Sequence, residues 1–188
     1  AYGTRSIVKG PAMDPSQARK AISNGIEIVY DLCRNGTDII ITGEMGIGNT
    51  TTSAAIASLI LGIPAEITTG RGAGLDSSGM SRKIAAIHRA IKLNKPDPTD
   101  PIDVLSKLGG FDIAGMTGLF LGGAECGIPI VIDGVISAVS ACLAEMISPG
   151  CRDFMLPSHV SNEPSARLLL EKLGLKAPIN AGFHLGEG

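Results

Sequence analysis

The sequence predicts an α/β fold: one domain over residues 1–188, with a mostly parallel sheet flanked by helices in three layers. Composition is the first reason. Apolar residues make up 44% of the chain, yet there is no Trp, with only two Tyr and four Phe. The core must therefore be Ile, Leu, Val and Ala, which suits parallel strands packed under helices better than an antiparallel sandwich. Patterning is the second. The short β-branched runs Ile39–Ile41 and Ile130–Ile132 each lead through a Gly-containing polar turn into a helical spacing. Length is the third: a chain of this size can bury roughly 70% of its unfolded surface, enough for a real core.

In chain order, Asp14 caps a first helix, Pro15 takes its first turn, and Gln17 can return the capping bond. Ala18, Ile22, Ile26, Val29 and Leu32 give its apolar stripe, and Gly36 closes it. The run 39–41 reads as a buried strand, and the helix after it ends near Gly62-Ile63-Pro64. A second glycine-rich loop, residues 68–76, leads into a helix from about Ser77 that carries Ile84, Ile87 and Ile91. Residues 95–101 form a Pro-rich surface loop, and Pro101 or Ile102 opens a short helix ending at Gly109-Gly110. A helix from Phe111 to Gly127 follows, whose Gly115, Gly118, Gly122 and Gly123 read as sites of close helix packing. Next come the strand at 129–133 and a helix from Val135 to Ile147. A third strand is expected at 153–156, with an exit loop at 157–162, and Glu163-Pro164 opens a helix to Leu173.

Several function classes are excluded or disfavoured. A net charge of −2 indicates no broad basic surface for nucleic acid. The apolar region 113–147 is broken by Glu125, Pro129 and Asp133, so no uncharged run reaches the roughly 18 residues a spanning helix needs. Cys33, Cys126, Cys142 and Cys151 lack C-x-x-C spacing, and three scattered His do not complete a zinc set. No metal site is expected. With no signal peptide visible at Ala1, the expectation is a cytoplasmic protein with reduced thiols.

The chemistry concentrates at residues 38–53, a strand, a glycine turn and a helix start. Gly43, Gly46 and Gly48 punctuate the turn, and Asn49 or Thr50 can cap the helix. Free N–H groups and the helix dipole at such a terminus favour an anion, so the stretch reads as a phosphate or carboxylate cradle. It is neither a Walker A loop, since Asn49 follows Gly48, nor a G-x-G-x-x-G fingerprint. A plain βα turn with no ligand is the alternative. Glu44 is the unusual member: it would repel bare phosphate and suits a ribose hydroxyl or a cationic ring. Arg82 and Lys83 lie in the first two turns of their helix, where the dipole disfavours a cation. A ligand phosphate or a solvated surface explains them equally cheaply. The polar loops 43–50, 133–134, 158–162 and 186–188 sit at expected strand ends, which in a parallel sheet converge on one crevice. A cradle, a lysine and the carboxylates Glu44 and Glu187 would meet there, a set suited to moving a phosphosugar between two rings. No Ser/His/Asp triad is readable from spacing around Ser158 and His159.

Five motifs together carry a resemblance that covers the whole chain: Gly-Glu-Met-Gly-Ile-Gly-Asn-Thr-Thr (43–51), Thr-Gly-Arg-Gly-Ala-Gly-Leu-Asp (69–76), Ile-Pro-Ile-Val-Ile-Asp-Gly (128–134), Ser158-His159 and Leu-Gly-Glu-Gly (185–188). The chain resembles the nicotinate-nucleotide:dimethylbenzimidazole phosphoribosyltransferases. That resemblance implies a Rossmann-like large domain, a metal-free and cofactor-free enzyme, and a homodimer. The implied reaction moves phosphoribose from nicotinate mononucleotide to 5,6-dimethylbenzimidazole, giving α-ribazole 5′-phosphate and nicotinate in cobalamin biosynthesis. It implies Glu187 as general base, and Gly46 with its neighbours Gly48, Asn49 and Thr50, together with Lys83, at the 5′-phosphate. Glu44 would lie near ribose and base, with Asp133 and Ser161 also at the substrate. Family chains extend further at both ends, so a large-domain portion is expected, and a non-catalytic nucleotide-binding fragment is the alternative. An oxidoreductase would need a well-placed acid after a second strand, where only Glu66 offers itself.

Overall fold

The computed structural model of the chain describes residues 3–72 and 74–183. Helix α1 spans Pro15–Arg34 and begins with the expected capping box: Asp14 accepts from the helix while its backbone N–H donates to Gln17 Oε1 at 2.9 Å. Its stripe buries Ala18, Ile22 and Val29. Strand β1 is only Ile40–Ile41, and helix α2 covers Asn49–Leu61 before a left-handed Gly62 at φ 67°. A single turn, α3, occupies Ala65–Thr68, which the sequence reading did not foresee. Helix α4 is Ser77–Asn94, α5 is Pro101–Leu108 and α6 is Phe111–Cys126. Strand β2, Ile130–Ile132, leads into α7, Val135–Ile147. A 3-10 turn at Cys151–Phe154 precedes β3, Met155–Pro157, and α8 covers Ala166–Leu173.

The three strands form one parallel sheet in the order β1-β2-β3. Register aligns Ile40, Ile130 and Met155 in one row and Ile41, Val131 and Leu156 in the next. Side chains alternate faces along a strand, so the two rows point to opposite sides. Ile130, Ile132 and Met155 are buried and Ile40 packs on the same core. On the other face Ile41 is 64% exposed and Leu156 46%. The helices thus flank the sheet as expected.

Three boundaries correct the sequence reading. Ile39 to Ile41 do not make a buried strand: β1 lies at the sheet edge, with Ile39 49% exposed. β-Branched composition encodes strand tendency, not position within the sheet. Strand β3 starts at Met155, not residue 153, because Cys151–Phe154 close a 3-10 turn whose preceding Gly150 sits at φ 98°. Helix α8 starts at Ala166, three residues after Glu163, which frees the Glu163 side chain for another role.

Helix α1 packs along α6 on the glycines. A Cβ on Gly118 would meet the Ile22 carbonyl oxygen at 2.0 Å, and one on Gly122 would meet Val29 Cβ at 2.9 Å. Gly123 serves the sheet instead, 2.3 Å from Ile130 Cγ1 by the same measure. Close packing is therefore the reason for three of the four glycines in α6. A Cβ on Gly115 would meet nothing within 4 Å, although the Gly115 carbonyl is what excludes a side chain at Gly25.

Candidate functional site

The C-terminal ends of β1, β2 and β3 open onto one cavity of about 260 Å³. Its wall includes the 43–47 turn, Thr50, Gly72, Asp133 to Ser137, Ser161 and Glu163. The expected convergence of the first three loops is what the fold produces. The floor is tied by a hydrogen-bond chain across the sheet. Thr42 Oγ1 donates to the Val131 carbonyl at 2.7 Å and lies 2.6 Å from Ser137 Oγ, which accepts from the Asp133 N–H at 3.3 Å. The end of β1, the end of β2 and the first turn of α7 thus hold one geometry.

The glycine turn differs from its sequence reading at the cap. Neither Asn49 nor Thr50 caps α2: Gly48 occupies the cap position at φ 82°, a conformation that favours glycine. With no side chain there to cap, the helix N-terminus is left to other partners. Asn49 is instead the first helical residue, and its amide bridges Glu44 Oε2 and Asp112 Oδ2, the latter at 2.7 Å. Glu44 also accepts from the Gly46 N–H. A carboxylate of the protein therefore sits on the amide expected to hold an anion. Gly46, Thr50 and Glu44 line the main cavity; Gly48 and Asn49 line a neighbouring cleft with Thr4, Gly109 and Asp112.

Lys83 is 7% exposed, whereas Arg82 is solvated and donates to Ser78 Oγ. Lys83 Nζ donates to the Gly70 carbonyl at 2.9 Å and to Thr50 Oγ1 at 3.1 Å, directly behind the cavity wall. Burial pushes its pKa down, opposed by the charge of Glu163. Among the described residues Lys83 makes no ion pair, so one N–H of the ammonium is left over. Gly72, at φ 53°, brings the 69–72 loop over this pair; a Cβ there would lie 3.1 Å from Thr50 Oγ1 and 3.7 Å from Nζ.

Asp133 and Ser161 are both buried at the cavity wall, at 8% and 5% exposure. Asp133 Oδ1 has no hydrogen-bond partner among the described residues, a buried acceptor suited to a ligand hydroxyl or N–H. Glu187 lies outside the described residues, as does the loop 186–188. The sequence reading missed Glu163 and Asp112; Glu163 is the one that lines the main cavity. It accepts from the Gly72 N–H at 3.2 Å. A Cβ on Gly70 would lie 1.8 Å from Glu163 Oε2, so the second glycine loop is shaped around this carboxylate. Its place just past the β3 exit loop was the available signal. Asp112, tied to Asn49 across 63 positions, gave none.

Among the described residues, no basic side chain lines the main cavity, while Glu44, Asp133 and Glu163 do. The buried cation Lys83 stands behind the wall at the α2 end. The wall thus carries three carboxylates among mostly glycine and apolar residues, with the buried cation Lys83 behind one end.

The sequence model of a family described as phosphoribosyltransferase matches residues 1–188. The chain belongs to this phosphoribosyltransferase family. It is 50% identical over 186 residues to the nicotinate-nucleotide–dimethylbenzimidazole phosphoribosyltransferase of Acetivibrio thermocellus, covering 99% of this chain and 53% of that one. The same figures hold for the enzyme of that name from Clostridium acetobutylicum. The crystal structure of CobT from Thermus thermophilus superposes with a TM-score of 0.92 at 38% identity, covering 98% of this chain and 55% of that one. The chain spans about half the length of the relatives it matches. The resemblance carried by the five motifs is therefore correct at the level of the family, and the parallel α/β fold is that of a solved relative.

Proposed function

We propose that this chain is the large-domain portion, one α/β domain over residues 1–188, of an enzyme that transfers phosphoribose from nicotinate mononucleotide to 5,6-dimethylbenzimidazole. The products are α-ribazole 5′-phosphate and nicotinate. The observation that carries this reading is the charge layout of the cavity: Lys83 buried behind its Thr50 end, and the carboxylates Glu44, Asp133 and Glu163 along its wall. Nicotinate mononucleotide has a dianionic phosphate at one end and a pyridinium on C1′ at the other. Its phosphate fits the Gly46–Thr50 end, where Glu44 must leave the Gly46 amide as it enters. Lys83 supplies the counter-charge a Walker lysine would give.

In the reaction, the second ring nitrogen of the benzimidazole, which carries the in-plane lone pair, attacks C1′ while the N–H nitrogen loses its proton to Glu187, so the ring ends neutral. The C1′–N bond to the pyridinium breaks, its electron pair returns to the ring nitrogen, and neutral-ring nicotinate departs. Positive charge passes from pyridinium to the ribosyl oxygen and carbon as the bond lengthens, as in other oxocarbenium-like transfers. Fixed carboxylates aimed at developing positive charge lower that barrier electrostatically. Glu44, Asp133 and Glu163 take that role, with the Asp133 Oδ1 acceptor and Ser161 placed for ribose hydroxyls. No metal or cofactor enters these steps. Soluble cytoplasmic small-molecule chemistry in a homodimer accompanies this reading; no described helix is long and apolar enough to cross a membrane.

The test is turnover by the complete gene product. Incubated with nicotinate mononucleotide and 5,6-dimethylbenzimidazole, it should release nicotinate and form α-ribazole phosphate in equal amounts, followed by chromatography. Binding of the nucleotide without product would leave a nucleotide-binding module instead. Glu187→Gln should lower kcat by about 10²–10⁴-fold with nucleotide affinity nearly unchanged, since general-base catalysis contributes on that scale. If the Gln variant turns over like wild type, Glu187 is not the base, and Glu44 is the next carboxylate to vary.

A further inference from the structure

Helices α1 and α6 advance side by side in the same direction, and their contacts keep step. Ile22 sits at Gly118, Val29 at Gly122, and Tyr30 hydrogen-bonds Glu125. One turn beyond the Val29–Gly122 contact, both helices reach a cysteine: Cys33 on α1 and Cys126, the last residue of α6. Both thiols are half-buried and reachable from solvent, unlike Cys142 and Cys151, which are 1% and 2% exposed.

We propose that Cys33 and Cys126 are a redox-responsive pair that closes an intramolecular disulfide between the ends of α1 and α6. The oxidant is a low-molecular-weight disulfide of the glutathione class. One protein thiol gives its proton to solvent, and its thiolate attacks a sulfur of the small disulfide, releasing one small thiolate. The second protein thiol is deprotonated in turn and attacks the resulting mixed disulfide. The Cys33–Cys126 bond forms and the second small thiolate leaves. Two protein thiols are oxidised and one small disulfide is reduced to two thiols.

The surroundings set the rate. Burial first, then the hydrogen bond with Cys33, then the charges of Cys33 and Glu125 push the Cys126 thiol up. Exchange therefore accelerates as pH rises. The bond would close a loop of about 90 residues, the range in which a cross-link restricts the unfolded chain strongly. It would also tie the helix leading into β1 and Glu44 to the helix leading into β2 and Asp133.

The complete gene product, treated with oxidised glutathione at pH 8, should lose about 2 Da, the two hydrogens of the thiols. Unreduced digestion should give a Cys33–Cys126 peptide pair, the melting temperature should rise by several degrees, and dithiothreitol should restore the starting state. Cys33→Ser and Cys126→Ser should each abolish the cross-link and carry one glutathione on the remaining thiol. Their reduced forms should melt close to wild type, which separates lost chemistry from a damaged fold. Stable glutathione adducts on both thiols with no cross-link, cross-links between two chains, or no reaction would each overturn the proposal.

Discussion

Lys83 holds a charge where charge is costly, and that cost is the lever for testing it. Burial depresses its pKa below the usual 10.5 for an amine. Between the depressed folded value and 10.5 the unfolded chain binds more protons, so stability rises with pH across that window. The penalty is fully present below the folded value and gone above 10.5. Lys83→Met removes the titration, so this rise should disappear from urea-unfolding curves measured against pH. A bound phosphate reverses the sign by favouring the ammonium. Affinity for nicotinate mononucleotide should therefore fall as pH passes upward through the Lys83 range, and the variant should lack that limb. At neutral pH calorimetry should find the variant about tenfold or more weaker, given that a charge-assisted contact is worth about 1.5–3 kcal/mol. Equal affinity at all pH values would remove Lys83 from the phosphate end. A cation early in a helix is locally unfavourable, which marked Arg82 and Lys83 alike, and only the family resemblance separated Lys83 from its neighbour. Glu163 and Asp112 were not legible, because an acid near a helix start satisfies local rules by itself. Their partners, Gly72 and Asn49, lie far away in sequence.

Among the elements, the α1–α6 contact shows how much one missing Cβ is worth. Gly118 faces backbone: a Cβ would come within 2.0 Å of the Ile22 oxygen and 3.0 Å of Gly25 Cα. Backbone cannot rotate away, so Gly118→Ala must separate the helices and should cost about 1–3 kcal/mol or more. Gly115 lies in the same helix, one turn earlier, with open space where a Cβ would stand. Gly115→Ala should be neutral or stabilising by up to about 1 kcal/mol from helix propensity. Denaturant midpoints of the two variants check the pair, and equal effects would refute the packing account. Helix limits were the most legible part of the fold. The Asp14-Pro15-Gln17 start and the Val135–Ile147 span are set by local capping and by breakers at the ends. Strand β3 was less so, since the apolar run Phe154, Met155 and Leu156 is split between a 3-10 turn and the strand start. The Gly48 cap was hidden because Asn is a better cap than Gly by propensity, while backbone handedness decided the matter.

At the scale of the whole molecule, the exposed apolar side chains that lie side by side are those of the sheet, while Ile28, Ile67 and Leu93 are exposed on separate helices. Register places Ile41, Val131 and Leu156 side by side on one face, with Ile41 64% and Leu156 46% exposed, and Ile39, just before the edge strand, at 49%. Met45 and Ile47, at 84% and 80%, extend the apolar surface along the glycine turn. The sequence signalled an apolar chain, but only strand order reveals where the apolar surface emerges: β1 read as a buried strand and is an edge among the described strands. A contiguous apolar patch rimmed by polar groups drives association in water, with each buried Leu or Ile worth about 1.5–3 kcal/mol. A protein of these 188 residues alone should therefore self-associate at high concentration, through this face. The double variant Ile41→Lys/Leu156→Lys should shift sedimentation toward monomer while leaving the melting temperature nearly unchanged, because neither side chain belongs to the buried core. A wild-type chain that sediments as a clean monomer at high concentration would show that the exposed row does not drive association. If the variant associates as strongly as wild type, the contact lies elsewhere, and the groove between α1 and α6 lined by Ile28, Phe111 and Leu119 is the surface to vary next.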